Sequence, residues 1–458
     1  MVEAQTKNQN VFWLWSDVVN FTRRGDFDFW SPEYIKNDEL MSRYSPFGEV
    51  VEDITNGVEL RKYSDMGELY LRVGNIKEFF TDLDDIKLVP LTREAIKARE
   101  KVVLSEQDIL MSRSGSLGII TVVTPDIKNS IISSHIMRLR VKKEISPYYI
   151  ATFLNSSFGK NQILRRRNGS PVPEINHQSL EEIRFFIPSK SIQQKVEQIV
   201  KDAFQLKKES EADYQKSQKL LNEALGLTGI EERREMTFWR WSDEVDIVLR
   251  IDPNYYQKYF QEMKARRAEV KTTKLEKLSL LIDYGTVPTS PDAPPELGTP
   301  YLTGKNIQPN ELVLDKLDYL YTNTTHSIRN KAIEAGDVLI TQMGTVGNAA
   351  VMSEGQGGWF FGSFLIRARP NKSVSPEWLA LVINSDFGKQ QIQQAMTTAT
   401  VRTNTDLPTI KSLEIPVIDK KKETEIVNLY IQSRDKRVLS KQKLQEAKNF
   451  VENLVRKA

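Results

Sequence analysis

The chain has 458 residues, enough for about two to four domains, and its apolar share of 40% is typical of globular cores. It contains no cysteine, which excludes disulfide frameworks, cysteine zinc sites and thiol nucleophiles and suits a reducing compartment. The net charge is only +3, so a nucleic-acid partner would require the basic residues to be concentrated on one face. No apolar run suits a secretion signal or a membrane span, and we expect a cytoplasmic protein with no membrane partner.

An internal repeat dominates the sequence. D-I-L-M-S-R-S-G-S-L-G at 108–118 returns as D-V-L-I-T-Q-M-G-T-V-G at 337–347, an offset of 229 residues and half the length of the chain. The same offset relates S-P-Y-Y-I-A-T-F-L-N-S-S-F-G-K, from 146, to S-P-E-W-L-A-L-V-I-N-S-D-F-G-K, from 375. F-W-L-W-S-D at 12 and Y-L-R-V-G-N-I at 70 also return, as F-W-R-W-S-D at 238 and Y-L-T-G-K-N-I at 301. The repeat predicts two copies of one module.

Each module is predicted to combine strands with short helices. Residues 108–141 alternate and are rich in β-branched side chains, which indicates strands. The two glycines of R-S-G-S-L-G favour a hairpin turn over a phosphate-binding loop. Pro147 then opens a helix, and a second short helix follows. The tryptophans of the F-W-x-W-S-D segments are predicted to lie in the cores rather than at an interface: Trp13, Trp15, Trp239 and Trp241.

A long helix is predicted after each module. Apolar residues that step by four and three form a seam at Ile192, Val196, Ile199, Ala203 and Leu206. The seam continues through polar Ser210, Asp213 and Ser217, which either are solvated or fix the register. A second seam occupies the helix that begins near Lys420. Each helix of roughly 36 residues would be about 54 Å long, and antiparallel pairing would place the modules at opposite ends.

The predicted fold class is α+β. Two pseudo-symmetric globular α/β domains are expected, separated by two long antiparallel coiled-coil helices. The predicted bounds are 1–188 for the first domain, 189–226 for the central helix, 227–416 for the second domain and 417–458 for the second helix.

Recognisable catalytic motifs are missing from the sequence. It has no G-x-x-x-x-G-K-[ST] phosphate loop, no dinucleotide fingerprint and no histidines at metal-ligand spacing. D-P-N-Y at 252–255 is weakly similar to the D-P-P-Y motif of amino-methyltransferases, but it lacks the second proline and an accompanying cofactor motif. We therefore predict no catalytic residue, no metal site and no cofactor in this chain.

The ordered pairs of motifs resemble those of the specificity (S) subunit of type I restriction–modification enzymes. The resemblance rests on the repeated segments at 108 and 337, the Y-L-x-x-x-N-I and N-S-x-F-G-K pairs, and R-I-D-P-N-Y-Y at 250–256. It covers nearly the whole chain, although the first module departs from the last motif with R-G-D-F-D-F-W-S-P-E-Y. The resemblance implies that each module is a target recognition domain for one half of a split sequence in double-stranded DNA.

The resemblance also implies a non-catalytic subunit of an enzyme complex. The long helices would dock two methyltransferase (M) subunits, which bind S-adenosylmethionine and methylate a flipped adenine. Restriction (R) subunits, reached through the complex, would use ATP and Mg²⁺. Two alternatives stay open: a two-headed scaffold without sequence preference, and a self-contained DNA methyltransferase or nuclease.

Basic and amide side chains near predicted loops are the candidates for DNA contact. In the first module they are the adjacent residues Arg165, Arg166, Arg167 and Asn168 at a helix end, for which a solvated basic face is the alternative interpretation. In the second module the residues at the corresponding place are Arg402 and Asn404, and different half-sites would require such a difference.

The hairpin turns supply a further pair of candidates. Arg113 corresponds to Gln342, and arginine suits guanine whereas glutamine suits adenine, although a purely structural turn is the more common case. Lys305 and Arg72 are predicted phosphate contacts. Four arginines recur in both copies and are interpreted as framework or DNA-backbone contacts: Arg138, Arg140, Arg367 and Arg369.

Overall fold

The computed structural model describes residues 27–83, 85–169, 172–230, 237–245, 253–287, 293–314, 317–321, 328–395 and 404–458. Within them the chain forms two compact units. The first comprises the described residues up to Leu206 together with Leu439–Ala458, and the second comprises Lys207–Val438. Each unit therefore takes part of its structure from each of two long helices.

The first unit is an α+β fold. Its elements are α1 (Pro32–Met41), β1 (Ser45–Pro46), β2 (Val51–Asn56), β3 (Glu68–Leu71), β4 (Lys87–Val89), α2 (Arg93–Lys101), β5 (Ile109–Ser112), β6 (Ile120–Val122), β7 (Ile131–Ile132), β8 (Ile136–Val141), α3 (Pro147–Asn155), α4 (Ser157–Arg165), α5 (His177–Glu181), β9 (Arg184–Phe185) and the first part of α6 (Lys190–Ala224). The strands form sheets in the orders β2–β8–β5–β6, β4–β3–β7 and β1–β9. The alternating stretch from 108 thus supplies the inner strands of the main sheet, as its pattern predicts.

The second unit repeats this topology. Its elements are the rest of α6, α7 (Lys258–Ala268), β10 (Thr272–Lys274), β11 (Ser279–Tyr284), β12 (Gly298–Leu302), β13 (Ile307–Gln308), β14 (Glu311–Leu312), β15 (Asp318–Tyr321), β16 (Val338–Thr341), β17 (Ala349–Val351), β18 (Phe360–Phe361), β19 (Leu365–Pro370), α8 (Pro376–Asn384), α9 (Asp386–Ala395), α10 (Leu407–Ser412), β20 (Glu414–Pro416) and the first part of α11 (Lys420–Lys457). Its sheets run β11–β19–β16–β17, β15–β12–β18 and β10–β20, with an added hairpin β13–β14. The predicted fold class is confirmed.

The N-S-x-F-G-K motif fixes the junction between the two short helices of each unit. Asn155 donates from Nδ2 to a backbone carbonyl of β6 at 3.1 Å, and Ser156 caps the N-terminus of α4. A Cβ at Gly159 would lie 2.4 Å from a backbone oxygen of α3, so only glycine allows this approach. Asn384 and Gly388 repeat the arrangement, with 2.8 Å to a carbonyl of β17 and 2.3 Å to an oxygen of α8. The motif recurs because the same helix junction is built twice.

The four recurring arginines serve the framework of the sheets. In the second unit the fully buried Arg367 guanidinium donates two bonds of 2.9 Å to the Asp283 carboxylate, and Arg369 donates to Asp337 at 2.7 Å. In the first unit Arg138 pairs with Asp53 at 2.5 Å, and Arg140 with Asp108 at 2.8 Å. The Asp108 hydrogen bond raises the pKa of Arg140 above its ordinary value. These contacts agree with the framework interpretation.

Two of the three polar residues of the helix seam, Ser210 and Ser217, are buried and hydrogen-bonded, whereas Asp213 is partly exposed. In the second unit the Ser210 and Ser433 hydroxyls each donate to the other residue's backbone carbonyl, at 2.6 and 2.7 Å. In the first unit Ser440 donates to the carbonyl of Ala203 at 2.7 Å. A hydroxyl can reach a backbone carbonyl only where two helices approach closely in one alignment. At Ser210 the contacts therefore favour the interpretation that the polar seam fixes the register.

Glu78 ties α4 and α11 together within the first unit. Its carboxylate accepts hydrogen bonds from Lys160 at 2.5 Å and from Lys448 at 2.6 Å. Partial burial by itself would raise the pKa of Glu78, but the hydrogen bonds and charges of the two lysines outweigh it and hold the pKa below its usual 4.5.

Removal of this carboxylate is expected to weaken the first unit in a pH-dependent way. Because the folded-state pKa is depressed, the stabilisation is complete above the unfolded-state pKa and is lost as the pH falls through the folded-state pKa. Glu78→Gln should lower the free energy of unfolding by about 1 kcal/mol at neutral pH, and the difference from the native chain should shrink below pH 4.5. Urea unfolding across pH measures this. Glu106→Gln, at an exposed pair with Lys128, is the control; an equal effect there would contradict the assignment.

The tryptophans of the second F-W-x-W-S-D segment are exposed, so the prediction that they lie in the core is wrong. The side chains of Trp239 and Trp241 are 97% and 78% exposed. Arg240, which stands between them, is instead directed to the protein and donates from Nε to the Tyr256 carbonyl at 2.9 Å. The first copy, at 12–17, lies outside the described residues.

Membrane-spanning character is absent from the described helices. None of them is both long enough and apolar enough to cross a bilayer.

Candidate nucleic-acid interface

Three loops of the first unit meet beside the β5–β6 hairpin, and we call them loop cluster 1: residues 113–118, 133–135 and 172–175. The Arg113 amide donates to the His135 carbonyl at 2.9 Å, and the Ile175 amide donates to the Arg113 carbonyl at 3.0 Å. A β-bridge joins Ser114 to Glu174. The hairpin turn is thereby clamped between two loops that are distant in the sequence.

The second unit forms an equivalent loop cluster 2 from residues 342–347, 362–364 and 404–405. The Gln342 amide donates to the Phe364 carbonyl at 2.9 Å, and the Thr405 amide donates to the Gln342 carbonyl at 3.1 Å. A β-bridge joins Met343 to Asn404. Two predicted DNA-contacting residues, Gln342 and Asn404, therefore share one cluster.

Glycine makes the shape of both hairpin turns possible. Gly118 has φ +77° and its amide donates to the Ser112 carbonyl at 2.9 Å, while Gly347 has φ +85° and donates to the Thr341 carbonyl at the same distance. L-residues rarely adopt this left-handed conformation. The predicted hairpin interpretation of R-S-G-S-L-G agrees with these contacts.

The side chains of loop cluster 1 form two linked polar pairs. Arg113 makes an ion pair with the half-exposed Glu174, and burial lowers the pKa of the Arg113 guanidinium. The Ser114 hydroxyl lies 2.5 Å from Nδ1 of the exposed His135. Of the predicted residues, Asn168 joins this group through its backbone, which exchanges hydrogen bonds of 2.6 and 2.7 Å with Glu174. Sequence reasoning missed Glu174 and His135, for which the only signal was the different residue at the equivalent position of the repeat.

The arginine triplet lies at the end of α4, where acidic side chains of the same unit face it. Arg165 donates to Asp38 at 2.8 Å, and Arg166 donates to both oxygens of that carboxylate at 3.0 and 3.1 Å. Arg167 pairs with Asp28. Burial lowers the pKa of Arg165, against the opposing effect of the Asp38 charge. Arg165 and Arg166 thus hold α4 against α1, and their contact with DNA stays a prediction.

The two predicted phosphate contacts occupy equivalent places in the two units. Arg72 pairs with Asp85 at 2.7 Å, and Lys305 pairs with Asp318 at 2.9 Å, both pairs in or beside the three-stranded sheets. Each cation therefore has a carboxylate partner in the free chain. Arg402, the remaining predicted residue, lies outside the described residues.

Comparison with known proteins identifies the kind of domain that carries these loops. The family described as Type I restriction modification DNA specificity domain matches residues 16–220. Residues 16–220 therefore contain a DNA specificity domain of this kind. The resemblance inferred from the repeated motifs is thereby confirmed, and DNA sequence recognition is the role of the specificity domain. Among curated proteins none matches the chain.

The chain is also similar to solved structures, but with low sequence identity and low TM-scores. The S subunit of a type I restriction–modification system from M. genitalium is 14% identical, with 90% of this chain and 94% of that chain covered and a TM-score of 0.43. The HsdS subunit from Thermoanaerobacter tengcongensis is 16% identical, with 91% and 95% covered and a TM-score of 0.28. The type IIG restriction endonuclease BpuSI is 12% identical, with 44% and 33% covered and a TM-score of 0.30. The match to the family model, and not the similarity to these structures, identifies residues 16–220 as a DNA specificity domain.

Proposed function

We propose that this chain is the sequence-reading subunit of a type I restriction–modification complex and that its two units each read one half of a bipartite double-stranded DNA target. The observation that carries the proposal is the loop cluster, which the chain builds twice on the same hydrogen bonds with different side chains. Two copies of one reader suit the recognition of two pieces of one ligand. Different side chains on one framework suit two different half-sites.

The long helices support a second part of the proposal, namely that they dock two methyltransferase subunits and fix the spacing of the half-sites. α6 has 35 residues and α11 has 38, which corresponds to about 52 and 57 Å. A turn of duplex is about 34–36 Å, so half-sites about one to one and a half turns apart are expected. The buried serine contacts would keep the helix register, and hence that spacing, constant.

The chemistry of the proposed complex belongs to the partner subunits. S-adenosylmethionine would bind to the methyltransferase subunits, and ATP and Mg²⁺ would serve restriction subunits reached through the complex. This chain would contribute recognition and geometry in the cytoplasm and no catalytic residue.

Genome-wide mapping of methyladenine tests the proposal. Cells would express this chain together with the methyltransferase encoded beside it, and control cells would express the methyltransferase alone. We expect one split motif with a fixed spacer that disappears when this chain is omitted. Exchange of the second unit for that of a related chain should alter only one half of the motif. Methylation that is absent, or independent of this chain, would contradict the proposal and favour a scaffold without sequence preference.

A further inference from the structure

The two loop clusters share a framework but differ at eight of their eleven aligned positions. Four of these positions form two side-chain pairs in loop cluster 1, 113 with 174 and 114 with 135, and their counterparts in loop cluster 2 are 342 with 404 and 343 with 364. The backbone bonds that clamp the turns are the same in both, and Ser112 and Thr341 accept the equivalent amide bond at 2.8 and 3.0 Å. The glycines and the serines at 134 and 363 are also shared. Because backbone atoms hold these loops, the side chains at these four positions are not needed to form them.

The first difference replaces a charged pair by an amide pair. Arg113 and Glu174 form an ion pair in loop cluster 1, and Gln342 and Asn404 occupy the equivalent places in loop cluster 2. Arginine donates to both acceptors of a guanine edge, and a carboxylate accepts from the amino group of cytosine. Glutamine and asparagine pair with the donor and acceptor of adenine. The Arg113–Glu174 pair therefore suits a G·C base pair, and the Gln342–Asn404 pair suits an A·T base pair.

The second difference replaces a polar pair by an apolar pair. The Ser114 hydroxyl is bonded to the His135 imidazole, and Met343 and Phe364 stand at the equivalent places. The Phe364 side chain is 56% exposed, and its framework contact to Gln342 is made by the backbone carbonyl. An exposed apolar side chain suits the methyl group of thymine. From loop cluster 1 to loop cluster 2, both side-chain pairs therefore become less polar.

We propose that these four positions determine the base sequence that each unit reads. Loop cluster 1 reads a G·C pair through Arg113 and Glu174, with His135 held in place by Ser114. Loop cluster 2 reads an A·T pair through its amides and presents Phe364 to the thymine methyl group. This inference rests on the proposed function and assigns specificity to positions that lie far apart in the sequence.

A transplant of one cluster into the other unit tests the assignment in the full chain. The variant carries Arg113→Gln, Ser114→Met, His135→Phe and Glu174→Asn. Expressed with the neighbouring methyltransferase and mapped by methyladenine sequencing, it should change a G·C pair to an A·T pair in one half-site, and leave the other half-site and the spacer unaltered. The reciprocal variant carries Gln342→Arg, Met343→Ser, Phe364→His and Asn404→Glu and should change the other half-site in the opposite sense.

The control substitutes an ion pair of the first unit outside the loop clusters. Lys128→Gln with Glu106→Gln removes an exposed pair of that unit and should leave every base of the motif unchanged. A transplant that gives no methylation but unfolds at the native urea concentration has lost recognition and supports the assignment. If a transplant unfolds at a lower urea concentration than the native chain, Arg113→Gln alone is the test, because it should alter the preference at one base pair by about tenfold or more.

The outcomes separate this inference from the proposed function. A native chain that yields a split motif, together with transplants that methylate the same motif at native occupancy, overturns the assignment of the four positions alone. A native chain that yields no split motif overturns the proposed function, and the inference with it.

Discussion

Arg367→Met is expected to lower the free energy of unfolding of the second unit by about 3 to 5 kcal/mol, the usual cost of leaving buried charges without their partner. The guanidinium is fully buried, and it holds the Asp283 carboxylate with two hydrogen bonds. It also lies 3.8 Å from the carboxylate of Asp337, which is equally buried. Methionine fills much of the volume but leaves Asp283 with Lys331 as its one remaining cation among the described contacts.

Urea unfolding followed by tryptophan fluorescence measures this loss, because the buried Trp378 lies in the same unit. Lys305→Met is the matched control, since it removes an exposed pair with Asp318 in that unit and should cost no more than about 1 kcal/mol. A loss at Arg367 as small as that of the control would show that the buried cluster tolerates the removal of this guanidinium.

Gly159→Ala is expected to destabilise the first unit by about 2 to 3 kcal/mol. Alanine gains up to about 1 kcal/mol from its helix propensity, but its methyl group would lie 2.4 Å from the Phe153 oxygen and 2.5 Å from the Leu154 Cα. Backbone atoms cannot rotate away, so α3 and α4 would have to separate. Asn155 would then lose its bond to β6, and the core between the helices would open.

The matched control is Gly74→Ala in the same unit. A Cβ there meets nothing within 4 Å, and the stability should change by no more than about 0.5 kcal/mol. Thermal unfolding of the three chains, followed by circular dichroism, measures both effects. Equal midpoints for Gly159→Ala and Gly74→Ala would mean that the close helix approach is dispensable.

The repeat made the architecture predictable, because each motif of the first module has a counterpart that obeys the same geometry. Strands from 108, the hairpin glycines and both long helices follow from periodicity and from residues with restricted conformations. The function class followed from the same ordered motifs.

The partners of the charged side chains were not predictable, because ion pairs join residues that are distant in the sequence. Arg165 was a candidate for DNA contact because three arginines stand together, yet its partner Asp38 belongs to another helix. Glu174 reaches Arg113 through a bridge between two loops that no local pattern shows. Trp239 and Trp241 were predicted to lie in a core, whereas both are exposed and Arg240 between them contacts the protein.

Because each long helix contributes to both units, the core of the first unit can be completed only late in the synthesis of the chain. The core of the first unit includes Leu444, Ala447, Val451 and Val455 of α11 beside Val196 and Val200 of α6. The second unit is continuous in the sequence from Lys207 to Val438. At about 5 to 20 residues per second, the ribosome delivers the missing part of the first unit only roughly ten to fifty seconds after Leu206. The unit that is translated first is therefore completed last, because the part of α11 that covers the apolar seam of α6 in its core follows the second unit in the sequence.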